Sequence, residues 1–292
     1  MSRKQIFGRF AWCALLSLVF CFGCDSGGTT PGGTDAGGNG SSARDNGGAQ
    51  PAGGSASDNG AAAPAGWGDL TGRFVYDGAA PTPAALNITK DEEFCGPHNL
   101  VDESLVVGPD GGVANVVVFL RTRDVAVHPD LEAAAAAQIV FDNKNCRFEP
   151  HVLAVWFDRQ TLIVRNSDPV GHNTNISPTA DTPANPLLAA DSQIEYTFHR
   201  HQNEPVAVSC NIHPWMRGYV LPRENPYFAV TAADGSFKIE KLPAGELEFV
   251  AWQEKTGELD PGDWKRGRFT VNVGAGMTTD LGEIKLAPSL FE

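Results

Sequence analysis

The chain has 292 residues, enough for about two domains. Its formal net charge is -13 at pH 7, and removal of a basic N-terminal segment would make it three charges more negative. Nucleic-acid binding depends on positive charge, and this chain is strongly acidic, so we expect no nucleic-acid partner. The same charge favours a partner protein with a basic surface.

Residues 1–24 have the pattern of an export signal. Three basic residues lie within the first nine positions, and residues 10–23 form an uncharged, mostly apolar run that is too short to span a bilayer. Cys24 follows a glycine and precedes a polar tract, which resembles a bacterial lipoprotein cleavage box. The resemblance implies lipidation of Cys24, and the alternatives are an ordinary secretory signal or an uncleaved anchor. We therefore expect an exported protein, periplasmic or at the cell surface, that an N-terminal lipid anchors to a membrane.

Residues 25–66 are predicted to be a disordered tether. The segment is rich in glycine and contains no aromatic residue and no Ile, Leu, Val or Met, so it cannot build a hydrophobic core. As a flexible coil it would hold the folded part of the chain away from a membrane.

From Trp67 onwards the sequence favours β-strands. Short runs of β-branched and aromatic residues alternate with turn signals such as Asp77-Gly78, a pattern typical of β-sandwiches. Residues 131–138, with five consecutive alanines, are the one convincing helical stretch. Residues 167–190 are predicted to be a long polar loop, and loops of this length in compact domains are usually functional. We therefore predict an all-β fold.

One short stretch, residues 209–218 (Ser-Cys-Asn-Ile-His-Pro-Trp-Met-Arg-Gly), carries three soft or borderline metal ligands: Cys210, His213 and Met216. A thioether contributes little to a zinc site, so this set favours copper. Two His and one Cys around copper, with a long axial Met, form the blue-copper electron-transfer arrangement. It needs one more His, and His172 near the start of the long loop is the best candidate. The alternative is that these are ordinary residues at a strand end.

The six cysteines can be assigned by elimination. Three of them lie within residues 1–24, and Cys210 is a candidate metal ligand. Cys95 and Cys146 then remain to form a disulfide in an oxidising compartment. The alternative is a second metal site built from these two cysteines with His98 and His151.

The ligand loop closely resembles that of the amicyanins among the cupredoxins, which share Cys-x2-His-Pro-aromatic-Met followed by Arg-Gly. The pair His172-Asn173 is similar to the cupredoxin His-Asn pair, whose Asn side chain ties the two ligand loops together. The detailed likeness covers roughly residues 137–224. It implies a Greek-key β-sandwich with one type 1 copper. The implied equatorial ligands are His172, Cys210 and His213, with Met216 as the weak axial ligand and Asn173 as the residue that supports them.

The same resemblance implies where electrons enter and leave. His213 would be the more exposed ligand, ringed by Pro214 and Trp215, and Trp215 would belong to the electron port. A multicopper oxidase would place His on both sides of the ligand Cys, where this chain has Ser209 and Asn211. No nucleophile–base pair, phosphate-binding loop or dinucleotide fingerprint is visible, so we expect no enzymatic activity.

Residues 228–252 resemble the transthyretin-type β-sandwich of carboxypeptidase regulatory-like domains, through an Asp-Gly turn and a Leu-Pro-Ala-Gly turn. The first strands of that family would lie far upstream in this chain. We therefore hypothesise that residues 67–125 and 226–292 form one discontinuous sandwich, with the cupredoxin domain inserted at 126–225. The alternative is two or three domains in series.

These patterns together predict a membrane-tethered, extracytoplasmic, mononuclear blue copper protein that carries single electrons. Its partner would be a redox protein such as a cytochrome or a dehydrogenase. Two alternatives stay open: a copper-binding module for storage, delivery or sensing, and a cell-surface adhesion protein whose metal site is structural.

Overall fold

The computed structural model describes residues 64–292. The predicted export signal with Cys24, and nearly all of the predicted tether, lie outside the described residues. Among the helices of residues 64–292, none is both long enough and apolar enough to span a bilayer.

The regular secondary structure of this part of the chain is almost all β-strand, which confirms the predicted all-β class. The strands are β1 (Trp67–Tyr76), β2 (Val117–Leu120), β3 (Gln138–Lys144), β4 (Arg147–Glu149), β5 (Val152–Trp156), β6 (Thr161–Asn166), β7 (His172–Asn173), β8 (Asn175–Ile176), β9 (Leu187–Leu188), β10 (Ser192–Tyr196), β11 (Val206–Ser209), β12 (Arg217–Arg223), β13 (Phe228–Val230), β14 (Ser236–Pro243), β15 (Gly245–Gln253), β16 (Gly257–Glu258), β17 (Arg268–Val273) and β18 (Thr278–Leu286). The α-helices are α1 (Glu92–Cys95) and α2 (Pro129–Ala134), and 3-10 turns cover Gly96–His98 and Pro288–Phe291.

The helix prediction was partly wrong. Helix α2 ends at Ala134, and Gln138, predicted as helical, begins β3. Gln138 pairs with Thr161 in the parallel β3–β6 ladder, so sheet pairing overrides helix formation at the end of the predicted stretch.

Two sheets enclose the first hydrophobic core. One has the strand order β14-β1-β18, and the other has the order β13-β2-β15-β16 with β17 beside β15. Strand β1 runs antiparallel to β14 and parallel to β18, while β2 lies between β13 and β15. Phe74, Tyr227 and Phe249 are fully buried between the sheets. Strands from before residue 126 and after residue 225 therefore share both sheets, as a discontinuous sandwich requires. The domain boundaries and the transthyretin-like identity stay predictions.

Two further sheets enclose the second core. Their strand orders are β10-β6-β3-β4 and β5-β12-β11-β8. Strand β11 shows the expected alternation, because Val206 and Val208 face the core and Ala207 faces solvent. Phe141 and Phe148 stack with ring centroids 4.9 Å apart deep in this core.

The two sandwiches pack against each other through their middle sheets. Phe119 of β2 and Trp252 of β15 belong to one apolar cluster with Val152 of β5 and Leu221 of β12. Strand β2 is buried along its whole length, which explains its continuous apolar sequence. The four sheets therefore form consecutive layers.

Residues 79–103 form a mostly irregular segment that we call the cap. A disulfide joins Cys95 of the cap to Cys146 beside β4, with the two Cα atoms 5.5 Å apart. The predicted disulfide is therefore present, and the alternative metal site at these cysteines is excluded because both sulfurs are bonded to each other. Leu100 and both cysteines form a small buried cluster against which Trp215 of the ligand loop packs.

Candidate metal centre

The site is built by two loops at one end of the second sandwich. Strands β11 and β12 pair antiparallel up to Ser209 and Arg217, so the seven residues between them form the closing loop. Within it the amide of Met216 donates to the carbonyl of His213 at 2.9 Å, and the amide of Cys210 donates to the carbonyl of Met216 at 3.3 Å. His172 comes from β7, which pairs with β9 inside the predicted long loop.

Three donor atoms converge at this end. The Sγ atom of Cys210 lies 3.9 Å from Nδ1 of His172 and 3.6 Å from Nδ1 of His213. Within residues 64–292 this is the one group of three His, Cys, Asp or Glu residues whose ligand atoms all lie within 4.8 Å of one another. All three residues are buried, with at most 1% of their surface exposed.

These separations fit a metal ion. Metal–sulfur bonds of about 2.3 Å and metal–nitrogen bonds of about 2.0–2.1 Å, at tetrahedral to trigonal angles, place sulfur and nitrogen about 3.5–3.8 Å apart. Both measured separations lie within about 0.2 Å of that range. The three side chains are therefore already arranged as ligands around a single point.

Each imidazole is held by a carboxylate on its far side. Nε2 of His172 lies 3.0 Å from Oδ2 of Asp168, and Nε2 of His213 lies 2.8 Å from Oδ2 of Asp91. Nε2 can donate its proton to the carboxylate in each case, so that Nδ1 is the nitrogen left to bind a metal ion. Neither aspartate was identified from the sequence. Asp168 stands four residues before His172, but Asp91 stands 122 residues before His213.

Asn173 joins the two loops. Its Oδ1 accepts the amide protons of Asn211 at 2.8 Å and Ile212 at 3.2 Å, and it lies 3.4 Å from Sγ of Cys210. Its Nδ2 donates to Oδ1 of Asn185 at 2.6 Å. This is the linking role that the His-Asn resemblance implied.

The thiol and the imidazole of His172 change each other's acidity. Burial opposes ionisation of the Cys210 thiol, but hydrogen bonds with His172 and His213 outweigh burial and lower its pKa to about 6. Burial also opposes protonation of His172, yet the contacts with Asp168 and Cys210 raise its pKa to about 9. Cys210 is thus favoured as a thiolate, the form of cysteine that binds metals.

The expectation that His213 is the more exposed ligand was wrong. His213 has no exposed surface, because Asp91 of the cap covers its Nε2 edge. The Trp215 ring lies edge-on to His213 at a centroid distance of 5.2 Å, and its Nε1 donates to the carbonyl of Cys146. Trp215 is half-buried and Pro214 is exposed, so these residues of the loop reach the surface while the ligand does not.

Met216 is buried in the same apolar cluster as Cys210. It also lines a cavity of about 420 Å³ beside the site, together with Pro214, Trp215 and Arg217. The cavity lies between the ligand loop and the cap and leaves one side of Trp215 accessible.

His98 and His151 of the alternative metal site lie outside this cluster, as do His199 and His201 at the surface. His98 packs edge-on against Phe94, and the other three are paired with acids. His151 bonds Glu254 through Nε2. The other two pairs are His199 with Asp181 at 3.4 Å and His201 with Glu224 at 3.1 Å.

No protein-family model matches the chain, and comparison with curated proteins finds no match. Several solved structures show partial likenesses. A Cu-containing nitrite reductase (NirK) from Thermus scotoductus SA-01 is 20% identical with a TM-score of 0.27, over 30% of this chain and 22% of the reductase. A purple cupredoxin from Nitrosopumilus maritimus is 24% identical with a TM-score of 0.24, over 30% of this chain and 99% of the cupredoxin.

An amicyanin variant in the Cu(I) state is 18% identical with a TM-score of 0.26, over 36% of this chain and 98% of the amicyanin. TM-scores this low do not by themselves assign a fold or a function. The site is identified as a candidate metal centre by its own donors, one sulfur and two imidazole nitrogens that are buried and converge on one point.

Proposed function

We propose that the chain is a mononuclear copper protein that carries single electrons. The ligands in this proposal are His172, Cys210 and His213, with Met216 as a weak axial ligand. The observation that supports it is the buried convergence of one Cys and two His donors, at separations suited to a single ion.

Copper is favoured over zinc by the fourth residue of the set. A structural zinc site takes four strong ligands from Cys, His, Asp or Glu. The cluster described here has three such residues, and the further candidate on the same loop is a methionine. A thioether suits copper, and two His with one Cys and a distant Met is the arrangement of electron-transfer copper sites.

The chain's own residues favour rapid electron exchange by restraining the ligands. The Asn173 amide fixes the spacing of the two loops, and the carboxylates of Asp168 and Asp91 fix the two rings. Bound copper would supply the one-electron redox couple. Ligands that are buried and held by hydrogen bonds have little freedom to rearrange when the charge on the ion changes.

Electrons would reach the surface at Trp215, because His213 itself is buried. The indole contacts the His213 ring on one side and lines the open cavity on the other. The partner in this proposal is a redox protein such as a cytochrome or a dehydrogenase, with a basic surface that complements the acidic chain. Export and a lipid anchor on Cys24 would place the protein outside the cytoplasm on a membrane.

Absorption spectroscopy of the copper-reconstituted protein tests this function. We expect an intense visible band from the thiolate–copper pair that a reductant bleaches and an oxidant restores, and that Cys210→Ser abolishes. Ser209→Ala, one residue away, is the matched control and should keep the band.

Other outcomes would select the alternatives. Copper binding without reversible oxidation and reduction would favour storage, delivery or sensing. A folded chain with no affinity for copper would favour a structural or adhesive role and would overturn the proposal.

A further inference from the structure

We propose that the cap contributes to the metal centre through Asp91. In this proposal Asp91 is a positioning residue that orients the His213 ring and shields it from solvent. This role rests on the proposed copper function, but the contact between Asp91 and His213 can be tested without copper.

The contact between Asp91 and His213 is specific in geometry. The carboxylate lies 2.8 Å from Nε2, on the ring edge opposite the metal-facing Nδ1. A proton held on Nε2 by this carboxylate makes Nδ1, 3.6 Å from Sγ of Cys210, the nitrogen that can bind a metal ion. Asp91 thus selects the tautomer and fixes the ring plane that a ligand at this position requires.

Asp91 itself is held in place by the short helix that follows it. Its backbone is left-handed, with φ 44° and ψ 41°, a conformation that Asp tolerates better than most residues. Its carbonyl accepts the amide protons of Phe94 at 2.9 Å and Cys95 at 2.8 Å. One turn of chain therefore connects the carboxylate to the cap's half of the disulfide.

The other half of the disulfide leads to the second histidine. The amide of Cys146 donates to Oδ2 of Asp168 at 2.9 Å, and the same carboxylate oxygen contacts His172. The Cys95–Cys146 bond therefore joins the two carboxylates that orient the two imidazoles. His172 and His213 are therefore connected through Asp168, the disulfide and Asp91, independently of any metal ion.

This arrangement has two consequences. A partner cannot touch His213 while the cap is in place, so it would meet the ligand loop at surface positions such as Pro214 and the half-buried Trp215. A metal ion also cannot reach His213 from the cap side unless the Asp91 contact opens.

The test compares Asp91→Ala and Asp91→Asn with Glu92→Ala. Glu92 is an exposed acid on the same turn, so its removal changes the net charge equally without touching His213. Before copper is added, nitrogen-15 NMR of the imidazoles should show Nε2 of His213 protonated in the parent and in Glu92→Ala. Asp91→Ala should show Nε2 protonated in only part of the molecules, and Asp91→Asn, which retains an acceptor oxygen, should raise that fraction again.

The second readout is copper affinity, measured by competition with a Cu(I) chelator. Loss of a carboxylate that orients a ligand typically weakens metal binding about 10–100-fold, and we expect that loss for Asp91→Ala and no change for Glu92→Ala. The paired variant Cys95→Ser, Cys146→Ser should weaken binding in the same direction.

The proposal is overturned if Asp91→Ala matches Glu92→Ala in both Nε2 protonation and affinity. If the paired cysteine variant does not fold, the Asp91 variants still decide. A parent protein that binds no copper would refute the proposed function, and the NMR measurement would then decide the Asp91 contact by itself.

Discussion

Replacing Asn173 with Ala tests whether one buried amide ties the two ligand loops together. The substitution removes the acceptor of two backbone amides, those of Asn211 and Ile212, and the donor to Asn185. Asn173 is 6% exposed, so water cannot readily replace these bonds. Leaving a buried donor unpaired costs about 1–3 kcal/mol. The two amides are only part-buried, so we take the lower part of that range for each and expect a loss of about 2–4 kcal/mol in the free energy of unfolding.

Urea unfolding of the copper-free protein measures this loss directly. Asn175→Ala is the matched control, because this neighbouring amide makes contacts of 3.4 Å with Ser209 and Ser177 and should cost at most about 0.5 kcal/mol. The two variants remove the same side chain two positions apart in the same loop. Equal losses in both variants would refute the linking role of Asn173.

Other substitutions probe the core, the axial position and alkaline stability. Phe141→Ala removes a fully buried ring stacked on Phe148 and should cost about 3–5 kcal/mol, measured by urea unfolding. Met216→Leu should raise the copper reduction potential in voltammetry, because loss of an electron-donating thioether favours Cu(I), whereas the exposed Met277→Leu should leave it unchanged. Burial raises the pKa of Tyr227 to about 12. The neutral phenol therefore stabilises the fold fully below its unfolded value of about 10, and this contribution is lost as pH rises through 12. Tyr227→Phe should lose two hydrogen bonds with backbone groups, costing about 1–3 kcal/mol at pH 7, and should flatten the alkaline decline in a pH series of unfolding measurements.

Local spacing was sufficient to find three of the four candidate ligands. Cys210, His213 and Met216 lie within seven residues, so a single tight loop had to place them near one another whatever the rest of the chain did. The all-β class could also be predicted from the sequence, because strands such as β11 alternate between core-facing and solvent-facing residues with a period of two.

Sheet pairing determined the secondary structure where the local sequence pattern was ambiguous. The alanine-rich run has high helical propensity, yet its end joins the parallel β3–β6 ladder. The continuous apolar run of β2 is typical of a buried strand, but only the stacked sheets show that both of its faces are covered, one by each sandwich.

The environment of the ligands was decided by tertiary structure alone. Residue types in the sequence were enough to identify the atoms that can bind a metal, three of which lie within seven positions of one loop. The burial of His213 depends on Asp91, 122 residues earlier, and on a disulfide that brings the cap over the ligand loop. No periodicity or spacing encodes such a contact, because it exists only after distant segments have folded against each other.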